Sequence, residues 1–317
     1  MAKVLVVGSA NMDVVTPIDR LPQPGETASA GAIRLVPGGK GANSAVAAAR
    51  LGGEVRFVGC VGTDAFGGRM LENLQTHGVD VDGVRRVERE SGVAIILLNE
   101  HDGQNSILVS PGANALVEAP TDTAWYEWGD VLLLQLETPT AAAINAARLA
   151  RQCGVRVILD PAPATPSPPR ELLKEVDLLT PNETELASLT GRRVETFEEI
   201  AAASQLLIAE TGIERLVTTL GGRGALSAMS ESWALHAPLM VESVDSTAAG
   251  DTFAGGLAVA LADGLPFDQS IRFAGAAGAL ACTVVGAQTS IPEKEQVLEF
   301  IKASQHTDGD NAAPRHA

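Results

Sequence analysis

The sequence predicts an α/β fold, and three observations carry that expectation. Short, mostly apolar runs alternate with alanine-rich segments of helical spacing. Hydrophobic residues make up 45% of the 317 positions but aromatic residues only 3%, and there are 32 glycines. A core must therefore be built from Ala, Val, Leu and Ile packed around thin helices. At this length roughly three quarters of the unfolded surface can be buried in one large domain.

Residues 4–7 (Val-Leu-Val-Val) read as the first strand and 42–51 as the helix that follows. The pairing recurs at 55–58 and 66–77, at 131–134 and 140–152, at 155–159 and 171–176, and at 178–180 and 183–190, with 215–219 as a further strand. Such alternation marks βαβ units around a buried parallel sheet, whose ligands bind at the carboxyl ends of the strands. An apolar helix starts at about Gly250 and stops at Gly264. Two segments break the pattern. Residues 13–37 carry turn signals at Pro22, Pro24 and Gly25, while 92–98 and 105–110 flank a polar turn at 99–104. Both read as strands of a small separate sheet, with lid strands from about 13–37 and 92–110. The run from Ala94 to Leu98 is apolar at successive positions, so one face is free to close over a substrate and the other to meet a partner subunit. Residues 161–169 read as a rigid proline-rich loop, 1–304 as a single catalytic domain, and the polar segment 305–317 as a disordered tail.

A formal net charge of −16 argues against binding a nucleic-acid backbone, so any phosphate site must be local. Cys60, Cys153 and Cys282 lack metal-ligand spacing and read as free thiols of a reducing compartment. No apolar run approaches the roughly 20 residues needed to cross a bilayer. The expectation is a soluble, cytoplasmic protein without a membrane partner.

The most informative stretch runs from Asp245 to Gly256, Asp-Ser-Thr-Ala-Ala-Gly-Asp-Thr-Phe-Ala-Gly-Gly. Small residues at Ala248, Ala249 and Gly250 let a phosphate approach the backbone N–H groups of a helix start, where the dipole also favours negative charge. Asp251 lies in the same first turn, placed to take a proton from a hydroxyl beside that phosphate. By itself Asp251 reads equally well as a residue that complements a helix start. Gly38-Gly39-Lys40-Gly41 is not a Walker A loop, because Gly41 stands where Ser or Thr must follow the lysine and Leu35 where a glycine must precede it. Nor does Gly8, followed by Ala10 and Asp13, complete a dinucleotide-binding glycine pattern. These glycines instead offer backbone that a small polar ligand can approach. Asp13 accepts, Lys40 donates and Asn43 does both, a set suited to a polyhydroxyl ligand.

Taken in order, Gly8-Ser9-Ala10-Asn11-Met12-Asp13, Gly38-Gly39-Lys40-Gly41-Ala42-Asn43, Thr180-Pro181-Asn182-Glu183-Thr184-Glu185 and the Asp251 segment resemble the PfkB family of sugar kinases, the ribokinase-like proteins. The resemblance spans nearly the whole chain, from Val4 to about Ile301. It implies a three-layer αβα sandwich around a mostly parallel sheet with a small β-sheet lid, the lid also forming a homodimer contact. It further implies that Asn11, Asp13, Gly39, Lys40, Asn43 and Glu137 bind the sugar and that Asp251 is the base, with Ala248, Ala249 and Gly250 forming the anion hole. Asn182, Glu185, Thr219, Gly221, Gly224 and Gly250 are implied to hold ATP and Mg²⁺, Glu185 through water. Asp245, Thr247, Ala281, Val284, Gly286 and Ser290 fall where the family holds a monovalent cation such as K⁺, mainly through backbone carbonyls.

The implied reaction is transfer of the γ-phosphate to the 5-hydroxyl of D-ribose. Other acceptors are 2-deoxyribose, fructose or a nucleoside, although the lid segments offer almost no aromatic platform for a base. A non-catalytic sugar sensor should have lost Asp251 or the glycine-rich turn, and both are intact. A nicotinamide-dependent oxidoreductase is the remaining alternative. Two departures from the family stand out: Met12 is expected to narrow the pocket beside one hydroxyl, and Gly275 stands where relatives place a polar residue against the nucleotide.

Overall fold

The computed structural model describes residues 1–99, 105–164 and 169–309. Its strands are β1 (Lys3–Val7), β2 (Asn11–Ile18), β3 (Arg34–Gly38), β4 (Glu54–Gly62), β5 (Asp80–Val87), β6 (Gly92–Asn99), β7 (Asn105–Ser110), β8 (Val131–Leu134), β9 (Arg156–Leu159), β10 (Leu178–Leu179), β11 (Arg215–Thr219), β12 (Ala225–Ala228) and β13 (Trp233–His236). The helices are α1 (Lys40–Arg50), α2 (Ala65–Thr76), α3 (Ala124–Glu127), α4 (Thr140–Gln152), α5 (Arg170–Leu173), α6 (Glu183–Thr190), α7 (Phe197–Thr211), α8 (Ala249–Ala262), α9 (Phe267–Ala281) and α10 (Lys294–Gly309).

Among the described residues nine strands form one sheet in the order β13-β12-β11-β10-β9-β8-β1-β4-β5. Neighbours from β11 to β5 are parallel, and only β12 runs the other way, antiparallel to both β11 and β13. This is the expected mostly parallel sheet. The apolar runs at 4–7, 55–58, 131–134, 155–159, 178–180 and 215–219 all lie in it. The reading of the sequence did not pick out β5, β12 or β13. The sheet ends on β5 and β13, and both carry exposed or half-buried residues, so neither presents an unbroken apolar run.

Side chains of a strand alternate between faces, which makes one strand feed two cores. Leu5 and Val7 of β1 pack into a cluster with residues of α4, α6 and α7, whereas Val4 and Val6 pack into another with α1, α2, α8 and α9. The result is three layers with the sheet in the middle. Alanines line the buried faces of α1 and α4, which keeps those helices close to the sheet. Closer still is the approach of α8 to α1: a Cβ on Gly255 would lie 2.7 Å from Ala47 Cβ and 2.8 Å from the Ser44 carbonyl. Anything larger than glycine there would push the two helices apart, and both begin at the site described below.

The remaining strands form the second sheet, in the order β3-β2-β6-β7, with β2 and β6 parallel and the other pairs antiparallel. The hairpin of β6 and β7 is as the sequence predicts; its turn, 100–104, lies outside the described residues. The proline-rich 161–169 segment is described only in part, and α10 continues to Gly309, beyond the expected start of the tail at 305. Residues 310–317 lie outside the described residues. No helix among the described residues is long and apolar enough to cross a membrane.

Candidate active site

Loops at the carboxyl ends of β1, β8, β9 and β11 converge with the starts of α1, α6 and α8. Gly39 is the residue before α1, with φ of 91°, and a Cβ there would meet the Asn11 nitrogen at 2.7 Å. Only glycine lets the Gly38-Gly39 turn press against β2 in this way. The start of α1 has no side-chain cap of its own. Glu137 supplies one from across the sheet: its Oε2 accepts from the Lys40 N–H at 3.1 Å and from Ser9 Oγ at 2.5 Å. The residue expected to bind sugar thus also anchors the helix that carries Lys40 and Asn43.

Asp251 is 4% exposed. Asn43 Nδ2 donates to its Oδ2 at 2.8 Å, and Lys40 Nζ lies 3.4 Å from its Oδ1. Gln288 Nε2 in turn donates to Asn43 Oδ1 at 3.0 Å, while Asn73 bonds Gln288. Asn43 therefore orients the carboxylate in this ligand-free state, a role beyond that of a sugar ligand. Lys40 Nζ also lies 3.6 Å from Asp160 Oδ2, and Asp160, at the end of β9, is buried. Burial opposes the charge of Lys40, but Asp251, Asp160, Glu137 and Glu185 outweigh it and hold the ammonium well above the ordinary lysine range.

The start of α8 leaves backbone donors open. Ala248 has φ of 59° and ψ of 10°, the one non-glycine residue with positive φ among those described. Holding alanine there costs about 1–2 kcal/mol, and strain of this kind gathers at functional sites. No side chain caps the helix, and the N–H groups of Gly250 and Asp251 find no acceptor among the described residues. They point out of the helix, available to an anion.

The residues expected to hold the nucleotide and metals also come together. Asn182 and Glu185 form a capping box at the start of α6, with both bonds at 2.8 Å, and Asn182 bridges to Thr219 at the end of β11. Burial pushes the Glu185 carboxyl up, against the bonds from Asn182 and the charge of Lys40. Gly221 and Gly224 flank the turn after β11 with positive φ of 55° and 93°. Asp245 ties two loops together: its Oδ1 accepts from the Thr247 N–H at 2.9 Å and Oγ1 at 2.6 Å, and its Oδ2 from the Gly286 N–H at 2.9 Å. Burial notwithstanding, these donors and Arg34 hold its carboxyl below the usual range. Among the described residues no hydrogen bond uses the carbonyl oxygens of Asp245, Thr247, Val284 or Gly286. Ala281 accepts from the Val284 N–H, and Ser290 Oγ turns back to Ala287. A cavity of about 540 Å³ separates this loop pair from the lid, lined by Asp13, Arg34, Ile96, Asp245, Thr247 and Gly286 among others.

Met12 corrects an expectation. Its side chain is fully buried in the core with Ala10, Val6 and Val61, so it does not narrow the sugar pocket. Alternation along β2 explains this, because Asn11 and Asp13 face the site and the residue between them faces away. Gly275 sits on α9 with open space where a side chain would be. The sequence reading missed Asp160, Gln288 and Asn114, which bonds Asn11. Asp160 had a signal, as a carboxylate directly after an apolar strand at the ligand-binding end of the sheet.

Fold and site together fit a sugar kinase: a buried carboxylate and an ammonium beside the open N–H groups of a helix start, facing polar groups suited to hydroxyls. The model of the pfkB family carbohydrate kinases matches residues 1–294. The chain belongs to that family. It is 39% identical over 301 residues to the ribokinase of Haemophilus influenzae, covering 94% of this chain and 97% of that protein. The deoxyribokinase of Salmonella typhi is 34% identical over 308 residues, covering 95% and 99%. Among solved structures, Arabidopsis thaliana ribokinase complexed with ribose and ATP aligns with a TM-score of 0.89 and 39% identity, covering 95% of this chain and 99% of that one.

Asp13 sets a pH dependence. Burial, then Glu137 and Asp251, push its carboxyl from 3.8 up to about 7. A carboxyl raised on folding stabilises the fold while protonated; that contribution is complete below about pH 4 and is lost as pH rises through about 7. In the ligand-free protein Asp13→Asn should therefore be more stable than the wild type at pH 8, by at most about 4 kcal/mol, and the gap should shrink towards pH 5. Urea midpoints at the two pH values check this, and an equal gap at both would rule it out.

Proposed function

We propose that the chain is an ATP-dependent ribokinase that transfers the γ-phosphate to the 5-hydroxyl of D-ribose. The observation that carries this reading is Asp251, buried between Asn43 and Lys40 at the edge of the open N–H groups of α8. Asp251 takes the proton of the attacking hydroxyl. The open N–H groups of Gly250 and Asp251 and the ammonium of Lys40 balance charge on the transferred group, whereas the Ala249 N–H, expected to take part, is bonded to the Ser246 carbonyl at 3.2 Å; with a loose transition state most of the acceleration comes from such positioning. Asp13 and Glu137 hold the sugar hydroxyls with Asn11, Gly39 and Asn43. Thr219, Gly221, Gly224 and Gly250 line the nucleotide.

The donor set supports the metals that the reaction needs. No group of three or more His, Cys, Asp or Glu among the described residues makes a ready metal cage. Asn182 and Glu185 instead suit Mg²⁺ that keeps its waters and phosphate ligands, where it would neutralise phosphate charge. The free carbonyl oxygens of Asp245, Thr247, Val284 and Gly286, close to Ala281 and Ser290, suit a monovalent cation beside the anion cradle. The lid leaves Ile95, Ile107, Leu108 and Val109 exposed, which supports a homodimer through its strands.

Ribose is preferred over 2-deoxyribose in this reading. A polar group left without its hydroxyl costs about 1–3 kcal/mol, so the deoxy sugar should lose roughly ten- to a hundredfold in kcat/KM. With Met12 turned into the core, its side chain does not fill the space of the missing hydroxyl. An ADP-release assay over pentoses, hexoses and nucleosides tests the acceptor, and equal or better use of 2-deoxyribose would overturn the choice. In the same assay Asp251→Asn should retain binding while turnover falls roughly 10²- to 10⁴-fold; near wild-type turnover would remove Asp251 as the base. Rates in potassium should exceed those in sodium or a bulky organic cation severalfold, and equal rates in all three would dismiss the cation site. Sedimentation should show a dimer at micromolar concentration, where a monomer would contradict the lid contact.

A further inference from the structure

Three lid strands meet the main body at one point. β2 begins at Asn11 and β6 at Gly92, while β3 ends at Gly38, and Asn11 pairs in register with both glycines. The 3₁₀ turn that follows β7, Gly112–Leu116, brings Asn114 to the same place. Its side chain is 2% exposed and makes three bonds there. The Ala10 N–H donates to Oδ1 at 3.0 Å, and Nδ2 donates to the Ala10 carbonyl at 3.0 Å and to Asn11 Oδ1 at 2.7 Å. The packing is tight: a Cβ on Gly92 would lie 2.2 Å from Asn114 Nδ2 and 2.3 Å from Asn11 Oδ1.

The two ends of an asparagine amide have nearly the same shape, so only hydrogen-bond partners fix which way it points. Ala10 settles the matter for Asn114, because a main-chain N–H can only donate and a main-chain carbonyl can only accept. Asn114 thus has one orientation. Its Nδ2 then faces Asn11, which must answer with Oδ1. Asn11 Nδ2 donates to no group among the described residues. Nearby Asp13 and Glu137, when ionised, only accept.

We infer that Asn114 is a positioning residue that sets the polarity of the sugar pocket, because it turns the N–H end of Asn11 towards the ligand. A hydroxyl that donates to Asp13 or Glu137 keeps its lone pairs for that N–H. The same amide closes the hinge of the lid, so the donor is in place only while the strands are anchored. This inference rests on the sugar-kinase reading and deepens it, since it states which hydrogen-bond direction the pocket selects.

The test uses the full chain, with Asn114→Asp and Asn114→Ala, and D-ribose against its 2- and 3-deoxyfluoro analogues. Fluorine accepts weakly and donates nothing. An aspartate at 114 only accepts, so Asn11 must turn and present an acceptor to the sugar. In Asn114→Asp, KM for ribose should rise about tenfold or more while KM for ATP stays within about twofold. At least one fluoro analogue used by the wild type should lose about a further tenfold relative to ribose. Asn114→Ala frees Asn11 to rotate and should give intermediate values, which keeps the test decisive if the aspartate variant does not fold. A wild-type ribose KM and fluoro profile in either folded variant overturns the inference, as does a parallel rise in both KM values, which would mark a merely structural residue. Failure of the ribose assignment looks different, because the wild type itself would then not phosphorylate ribose. The same comparison is in that case made on the sugar the panel identifies.

Discussion

One lysine balances a buried cluster of carboxylates, and the rest of the site is arranged around that imbalance. Asp251, Asp160, Glu137 and Glu185 all act on Lys40, and a fifth carboxyl, Asp13, is coupled to two of them. Water is largely excluded, so these charges interact more strongly than they would on a surface. Burial pushes Asp160 up to about 7 even with Lys40 beside it, and Glu185 and Asp251 push the same way. A ligand-free site in this condition is held by its scaffold against its own electrostatics. A transferred phosphoryl group must therefore arrive with its charge neutralised, and the site offers Lys40 and the open N–H groups of α8 for what remains.

The scaffold meets that demand with close backbone packing. Gly255 lets α8 lie against α1, and those two helices carry Asp251 on one side and Lys40 with Asn43 on the other. Glu137 caps α1 from the far side of β1, so the same carboxylate fixes the helix and adds to the negative charge around Lys40. The left-handed Ala248 is the visible strain. It turns the chain so that the N–H groups of Gly250 and Asp251 are left open, and the close packing of α8 on α1 holds it in place.

Much of this was legible in the sequence, and the parts that were not share a cause. The apolar runs announced the buried strands because a parallel sheet covered on both faces needs a nearly continuous apolar run in each strand. Asp251 and the glycine turns were legible because helix starts and close approaches have local chemistry. Asp160, Asn114 and Gln288 act through partners far off in the chain, 245 residues apart for Gln288 and Asn43, and no local pattern encodes such a pairing. Met12 was misread from its neighbours: flanked by two site residues on a strand, it had to point the other way, into the core. The edge strands β5 and β13 escaped notice because solvent on their open sides removes the apolar signal.

Lys40 is the charge on which the balance of this cluster depends. The most direct measurement is the pH dependence of the unfolding midpoint of ligand-free Lys40→Met against the wild type. Lys40 lowers the carboxyls of Asp160 and Glu185. Without it their folded-state values rise further, so stability should be lost more steeply as pH climbs from about 5 to 8. Midpoints that run parallel across that range, offset by a constant, would show that the lysine does not balance the cluster and would contradict the account.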